Sequence, residues 1–181
     1  AGEVAINGAV SRQRSDVTER DLAPVTQSAG WPLVLVVHPA LPARKVKEVI
    51  ALAKKRPGEI GYATAGAGSP HHLTGEWMKL IAKIDIIHVP YKGSQQALVD
   101  LIGGQIDFTF DLGAALPHIK SDTVRLLAVP RTTRPPTFPD APTMAAAGPK
   151  LDTTRRTGSS APPPTPRPTV TPPPRRHPRV L

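Results

Sequence analysis

The chain has 181 residues, which is enough for one ordinary domain and leaves little room for two. It contains no cysteine, which excludes disulfides and thiolate metal sites, and no run of about 18 apolar residues predicts a membrane-spanning helix. The net charge of +9 is uneven, because residues 149–181 carry +6 and the first 148 residues only +3, so the main part of the chain does not predict a nucleic-acid-binding surface.

Residues 1–32 show no sustained hydrophobic period, but from Leu33 onward short apolar runs alternate with amphipathic segments. This alternation is typical of βα units in a parallel sheet. The first run, Leu33 to Val37, has no polar alternation and predicts a strand buried on both faces. A helix is predicted next, ending at Pro57. Its apolar residues recur at helical spacing: Val46, Val49, Ile50 and Ala53.

A strand at residues 60–63 precedes a second predicted helix, which begins after Ser69 with Pro70 at its first position. Four large apolar residues recur at helical spacing along it, and we expect them to form its buried face. They are Leu73, Trp77, Leu80 and Ile81. Ser94 is expected to cap the third helix, which Gly103 ends.

The remaining strands are predicted at residues 86–89, 106–110 and 124–129, with a short helix at 114–119. Residues 33–129 therefore predict a doubly wound α/β sheet that is mostly parallel. Residues 149–181 contain ten prolines and almost no large apolar residue, so we expect this tail to be extended or disordered.

The segment from Thr64 to Ser69, hereafter the Thr64–Ser69 loop, runs from a strand end to a helix start. Ligands of open α/β sheets bind at the carboxyl ends of strands, and a helix N-terminus favours anions. The loop lacks the lysine and the glycine spacing of phosphate loops, so a carboxylate is the predicted anion. The alternative is a plain glycine-rich turn in which Ser69 is an ordinary helix cap, and the local sequence leaves both open.

Two further strand ends carry polar residues, and all three are predicted to share one rim of the sheet. Tyr91, Lys92 and Ser94 follow one strand, and Asp111 ends the next. Each has an ordinary structural alternative: packing for Tyr91, a solvated charge for Lys92 and a helix-start cap for Asp111.

The histidines do not predict a metal site or a catalytic centre. His71 and His72 are adjacent, so on a helix they point about 100° apart and cannot form the pair used by zinc proteases. No serine has the G-x-S-x-G pattern of a hydrolase nucleophile. We expect no catalytic residue, metal or cofactor. Structural hydrogen bonds are expected for the histidines at element ends: His38, His88 and His118.

Three strings in this order carry a family resemblance: LVLVVHP from Leu33, YATAGAGSPHHL from Tyr62 and HVPYKGS from His88. With further matches as far as Gly148, the chain resembles the receptors of tripartite tricarboxylate transporters, also called Bug-type solute-binding proteins. The resemblance implies a periplasmic receptor that captures a small di- or tricarboxylate, delivers it to a membrane permease and performs no catalysis. Carried over by position, the ligand-binding residues would be Thr64, Gly66, Gly68, Ser69, His72, Gly93, Ser94 and Asp111.

The resemblance also implies a lobe like those of type II periplasmic binding proteins. Residues 33–129 would be the second of two lobes, 1–32 a remnant of the first, 130–148 a return segment and 149–181 a tail. Nothing before Asp21 matches the family, so we expect a chain truncated or frame-damaged at both ends, with half a site and weak binding.

Two rival functions remain open at this point. The arginine-rich tail could act as a disordered arm for nucleic acid or another acidic surface, although it lacks interleaved aromatic residues. We expect no nucleic-acid partner for the leading interpretation. The weaker rival is an enzyme that uses the glycine-rich loop for phosphate, which would predict nucleotide binding.

Overall fold

The structure is a computed structural model, and it describes residues 23–111, 113–131, 134, 138–139, 141–147 and 153–161. The described chain divides into two compact units. One unit is Pro32–Thr154, and the other contains the described residues 23–31 and 155–161. The candidate site lies entirely within the first unit.

The described elements follow one another in the order β1 (Ala23–Pro32), β2 (Val34–Val37), α1 (Val46–Lys55), β3 (Gly61–Thr64), α2 (Pro70–Ala82), β4 (Ile87–Pro90), α3 (Ser94–Ile102), β5 (Phe108–Asp111), α4 (Leu116–Lys120), β6 (Arg125–Ala128), α5 (Met144–Ala147) and β7 (Thr154–Ala161). β1 pairs with β7 in a two-stranded sheet. The other five strands form one sheet in the order β4-β3-β5-β2-β6. The predicted alternation of strands and helices is confirmed.

Four strands of the larger sheet run in one direction and β2 runs in the other. β3 is parallel to β4 and β5, whereas β2 is antiparallel to both β5 and β6. The mostly parallel α/β fold is therefore confirmed, and so is the prediction that the first apolar run is a strand buried on both faces. Burial on both faces follows from the position of β2 between two neighbours and does not depend on its direction.

The core lies on both faces of this sheet, as a doubly wound arrangement requires. Leu35 and Val37 of β2 pack on the face that contacts α1 and α2, while Val34 and Val36 pack on the α3 face. All four side chains are fully buried. Each contributes roughly 1.5–3 kcal/mol of transfer free energy when it leaves water. β2 therefore anchors the two layers of helices to one sheet.

The buried face of α2 is not the one that the apolar spacing predicts. Leu73, Trp77, Leu80 and Ile81 are exposed, and Leu80 is 76% exposed. The buried residues are instead His71, Thr74, Gly75 and Met78. A Cβ at Gly75 would overlap the ring of Tyr62, a large residue that β3 projects from the sheet, so small side chains must face the sheet here. Helical spacing is the same for both faces and cannot choose between them.

The predictions for the two ends of the chain have different outcomes. The tail predicted at residues 149–181 as extended or disordered is extended at Thr154–Ala161, a proline-free stretch that pairs with β1 as β7, so disorder is wrong for these residues. The predictions for residues 1–22, 148–152 and 162–181 lie outside the described residues. The lobe assignments stay predictions. Within the segment 130–148, Thr143 pairs with Val129 and Met144 is fully buried in the core.

Candidate functional site

The ends of three parallel strands meet at one rim of the larger sheet. Thr64 of β3 is in register with Pro90 of β4, and Ala63 is in register with Thr109 of β5, so Asp111 ends beside them. The Tyr91 N–H donates to the Thr64 carbonyl at 3.0 Å. The loops that follow β3 and β4 therefore lie side by side.

The Thr64–Ser69 loop is held by hydrogen bonds within itself. Thr64 is fully buried, and its Oγ1 accepts the Gly66 N–H at 3.2 Å, while the Gly66 carbonyl accepts the Ser69 N–H at 3.2 Å. Gly66 and Gly68 have φ values of 116° and 76°, which glycine adopts without strain. Thr64 thus supports the loop from inside and does not present its hydroxyl to solvent.

Ser69 caps α2, which is the structural alternative that the sequence left open. Its Oγ accepts the His72 N–H at 3.3 Å, and Pro70 occupies the first helical position. Ser69 is 6% exposed. Its hydroxyl is therefore already engaged by the chain, and a direct contact between Ser69 and a ligand stays a prediction.

Two histidines form hydrogen bonds with the Thr64–Ser69 loop. The Gly68 N–H donates to His72 Nδ1 at 3.2 Å, and His88 Nε2 lies 2.7 Å from Thr64 Oγ1. The two rings face each other with centroids 4.2 Å apart. The sequence predicts a structural hydrogen bond for His88 at an element end but does not connect His88 with the loop. Only the pairing of β3 with β4 brings His88 close to Thr64.

A polar cluster extends behind this pair. The Tyr62 hydroxyl donates to Glu76 Oε1 at 2.6 Å, and Lys79 Nζ lies 3.4 Å from the same oxygen. Burial, reinforced by Glu76, raises the pKa of Tyr62 far above its usual value, so the phenol stays neutral. Burial would raise the pKa of Glu76, but the hydrogen bond from Tyr62 and the charge of Lys79 outweigh it and lower that pKa.

The same surroundings act on His88. Burial lowers the pKa of His88, and the nearby His72 and Lys79 lower it further, against the opposing charge of Glu76. The neutral form of the ring is therefore favoured in the folded protein.

The start of α3 differs from the start of α2, because no side chain among the described residues caps it. The prediction that Ser94 caps this helix is wrong: Gly93 is the N-cap residue, and Ser94 is the first helical residue. The backbone at Gly93 is extended, with φ at 173°, and apart from its two chain neighbours no described residue has an atom within 4 Å of the position that a Cβ would take. The start of α3 therefore combines open space at Gly93 with the positive end of the helix dipole.

Asp111 lies on the rim, but its carboxylate already accepts hydrogen bonds from the backbone. It is 2% exposed, and its Oδ2 accepts the N–H groups of Gly113 at 2.7 Å and Ala115 at 2.8 Å. Asp111 thus stabilises the turn before α4, but it is not the helix cap that was its structural alternative, because the N-cap residue of α4 is Ala115. A ligand role for Asp111 stays a prediction.

The rim thus combines backbone donors and two helix N-termini, an arrangement that can hold a small anion. In the part of the chain that the structure describes, no cluster of three His, Asp or Glu side chains could hold a metal ion. Within the same described ranges, no helix is long and apolar enough to cross a membrane.

Comparisons with known proteins agree on one family. The model of the "Tripartite tricarboxylate transporter family receptor" matches residues 15–171. BugT of Bordetella pertussis is 41% identical over 129 residues, which are 71% of this chain and 40% of that protein. A UPF0065 protein of a Pseudomonas species is 35% identical over 156 residues, which are 84% of this chain and 46% of that protein. The chain therefore spans less than half the length of these relatives.

Solved structures give the same result. An R. palustris protein solved with adipate has a TM-score of 0.86 and 36% identity, over 93% of this chain and 57% of that one. MatC of Rhodopseudomonas palustris, solved with bound malate, has a TM-score of 0.82 and 27% identity, over 92% and 57% of the two chains. Because the family model spans residues 15–171 of 181, the chain belongs to the family of tripartite tricarboxylate transporter receptors.

Proposed function

We propose that the chain contributes the carboxylate-binding rim of an extracytoplasmic receptor for small organic acids. The observation that carries the proposal is the uncapped start of α3, where Gly93 borders open space beside the Thr64–Ser69 loop. Membership of the family supports it, as do the relatives solved with adipate and with malate. A carboxylate at this point supplies the acceptors that the helix lacks.

The two loops have different roles in this proposal. α2 is capped by Ser69, so its donors are partly satisfied, whereas no side chain among the described residues caps α3. We therefore assign the main carboxylate contact to the backbone N–H groups that begin α3 and to the Ser94 hydroxyl. The Thr64–Ser69 loop forms the adjoining wall, in which Gly66 lies against the Tyr91 carbonyl.

Capture for transport, without catalysis, is the activity that this family membership supports, with the permease of the transporter as the partner and the periplasm as the place. The rival function as a nucleic-acid-binding protein is not favoured, since the family is one of solute receptors. The ligand class is a di- or tricarboxylate.

Calorimetry with adipate and malate, and with neutral adipamide as the reference compound, tests the proposal. Saturable heat is expected for the dicarboxylates and not for adipamide. Gly93→Asp places a carboxylate of the protein itself at the start of α3, where aspartate is a favourable N-cap. It should weaken dicarboxylate binding by roughly ten- to hundredfold, the loss that follows removal of a charged hydrogen bond.

Lys45→Asn is the matched control. Lys45 is the N-cap residue of α1 and also lacks a side-chain cap, so the change adds a cap and makes the same change in net charge away from the rim. Binding should be unchanged in this variant. Equal binding by Gly93→Asp and the unsubstituted protein would show that α3 does not hold the carboxylate.

A further inference from the structure

We propose that His72 and His88 are positioning residues that hold the Thr64–Ser69 loop in its ligand-receiving shape, and that His72 does so only while its ring is uncharged. The inference rests on the proposed function for its effect on binding. Its effect on the loop can be measured without any ligand.

Of the two histidines, His72 is the one whose contact with the loop depends on its protonation, because it accepts a hydrogen bond from the Gly68 N–H. The Gly68 N–H donates to Nδ1 at 3.2 Å, and a ring nitrogen can accept a hydrogen bond only when it carries no proton. The hydrogen bond therefore assigns the proton of the neutral ring to Nε2. Protonation of His72 places a hydrogen on Nδ1 and turns this contact into a clash of two donors.

The bond between His88 and Thr64 can survive protonation with its direction reversed. The Thr64 hydroxyl can donate to a bare Nε2 or accept from a protonated one. When the Thr64 hydroxyl accepts from His88, its own hydrogen can be donated to the Gly66 carbonyl, which lies 3.4 Å from Thr64 Oγ1. His88 thus holds the start of the loop in either state, and His72 holds its end in one state only.

The close approach of the rings couples their charges. With centroids 4.2 Å apart, a proton on one ring disfavours a proton on the other. Tyr62 of β3 contacts His88 with ring centroids 5.2 Å apart and remains neutral. Glu76 and Lys79 of α2 carry opposite charges and form an ion pair, with Nζ 3.4 Å from Oε1. The described surroundings therefore supply no net charge that would favour two cationic rings.

The functional consequence is a loop whose order depends on acidity. While both rings are neutral, the loop is fixed at Gly66 and Gly68 by hydrogen bonds to side chains. When His72 is protonated, the Gly68 amide loses its acceptor and the wall beside α3 loosens. We expect a rim that is formed while His72 is neutral and loosened once His72 is protonated.

Two variants of His72 separate the hydrogen bond from the charge. His72→Asn keeps an acceptor near the position of Nδ1 but cannot be protonated, and His72→Leu removes the acceptor. In NMR spectra of the ligand-free chain between pH 8 and 5, the Gly68 amide shift should follow the titration of the His72 ring. It should stay constant in both variants, and at pH 8 the Gly68 amide proton should lie further upfield in His72→Leu, which offers no acceptor, than in His72→Asn. A Gly68 amide that ignores the His72 titration would overturn the inference.

Adipate calorimetry at pH 7.5 provides the second measurement. His72→Leu should bind about five- to tenfold more weakly, the change expected from the loss of one hydrogen bond, and His72→Asn should bind nearly as well as the unsubstituted chain. Equal binding by both variants would contradict the positioning role while leaving the proposed function intact. Absence of binding by the unsubstituted chain would contradict the proposed function, and the amide titration would still decide the role of His72.

Discussion

At the scale of single residues, the site depends on a contact between the smallest side chain and one of the largest. Gly75 of α2 lies directly over the ring of Tyr62, which is fully buried in β3. This contact sets the distance between helix and sheet, and so the position of the Thr64–Ser69 loop between them. Close-packed interiors have no spare room for an added methyl group at such a point.

Gly75→Ala should therefore lower the free energy of unfolding by about 1–3 kcal/mol, the usual cost of overpacking. Urea unfolding measures it. Gly93→Ala is the matched control, because its backbone is extended and, apart from its chain neighbours, no described residue has an atom within 4 Å of its Cβ. It should change stability by no more than about 0.5 kcal/mol. Similar stabilities for the two variants would show that α2 does not rest on Tyr62.

The hydroxyl of Tyr62 can be tested separately from its ring. Tyr62→Phe keeps the packing but removes the 2.6 Å bond to Glu76, which should cost about 0.5–1.5 kcal/mol and raise the pKa of Glu76, because that bond lowers it. Tyr91→Phe removes an equally short bond, to Asp100, from a half-buried residue and should cost less. Urea unfolding and an NMR titration of Glu76 report the two effects, and an unshifted Glu76 pKa would contradict the first.

At the scale of elements, α2 shows that spacing and packing are separate properties. The helix has two faces with the same period, one of large apolar residues and one of small or polar residues. The second face is buried because it fits the side chains that β3 projects, and the first is left exposed. The cost of exposed apolar area is smaller than that of overlapping atoms in the core.

Met78→Ala should therefore destabilise the protein by about 2–5 kcal/mol, because the side chain is fully buried. Leu80→Ala, two residues further on the exposed face, should change stability by less than about 0.5 kcal/mol. Thermal or urea unfolding compares them. A larger loss of stability in Leu80→Ala than in Met78→Ala would show that the buried face of α2 is the one that the apolar spacing predicts.

At the scale of the whole molecule, stability should depend on acid through His88. The pKa of His88 is lowered in the folded state from 6.5, so the unfolded chain binds this proton first as the pH falls. The stabilisation that comes from the neutral ring of His88 is fully present above pH 6.5. It is lost as the pH falls from 6.5 to the lowered pKa of the folded state. Glu76, whose pKa is lowered from 4.5, adds a smaller loss below pH 4.5, because the side chain is 38% exposed.

Urea unfolding between pH 8 and 5 should show a decline that begins near pH 6.5. His88→Gln removes the titrating ring and should flatten this decline. His118→Gln, within the short helix α4, is the control and should leave the decline in place. If the decline is unchanged in His88→Gln, another group causes it.

Sequence alone was enough for the order of the elements between Leu33 and Val129, and for the family. The apolar run of β2, the stripe of α1 and the glycine-rich loop after β3 are local patterns, and each corresponds to an observed element. Motifs such as Tyr62 to Leu73 predicted the carboxylate receptor family, and the family is confirmed. Such signals can be read because they depend on residues close together in the chain.

Tertiary structure alone decided what the rim residues do. Ser69 and Asp111 accept hydrogen bonds from the backbone, whereas no side chain among the described residues caps the start of α3 at Gly93. His88 reaches Thr64 across 24 positions of sequence, and the direction of β2 and the buried face of α2 depend equally on partners from other elements. Local spacing determines that a helix has two faces or that a strand is buried, but only the shapes of its neighbours determine which atoms remain free to bind a ligand.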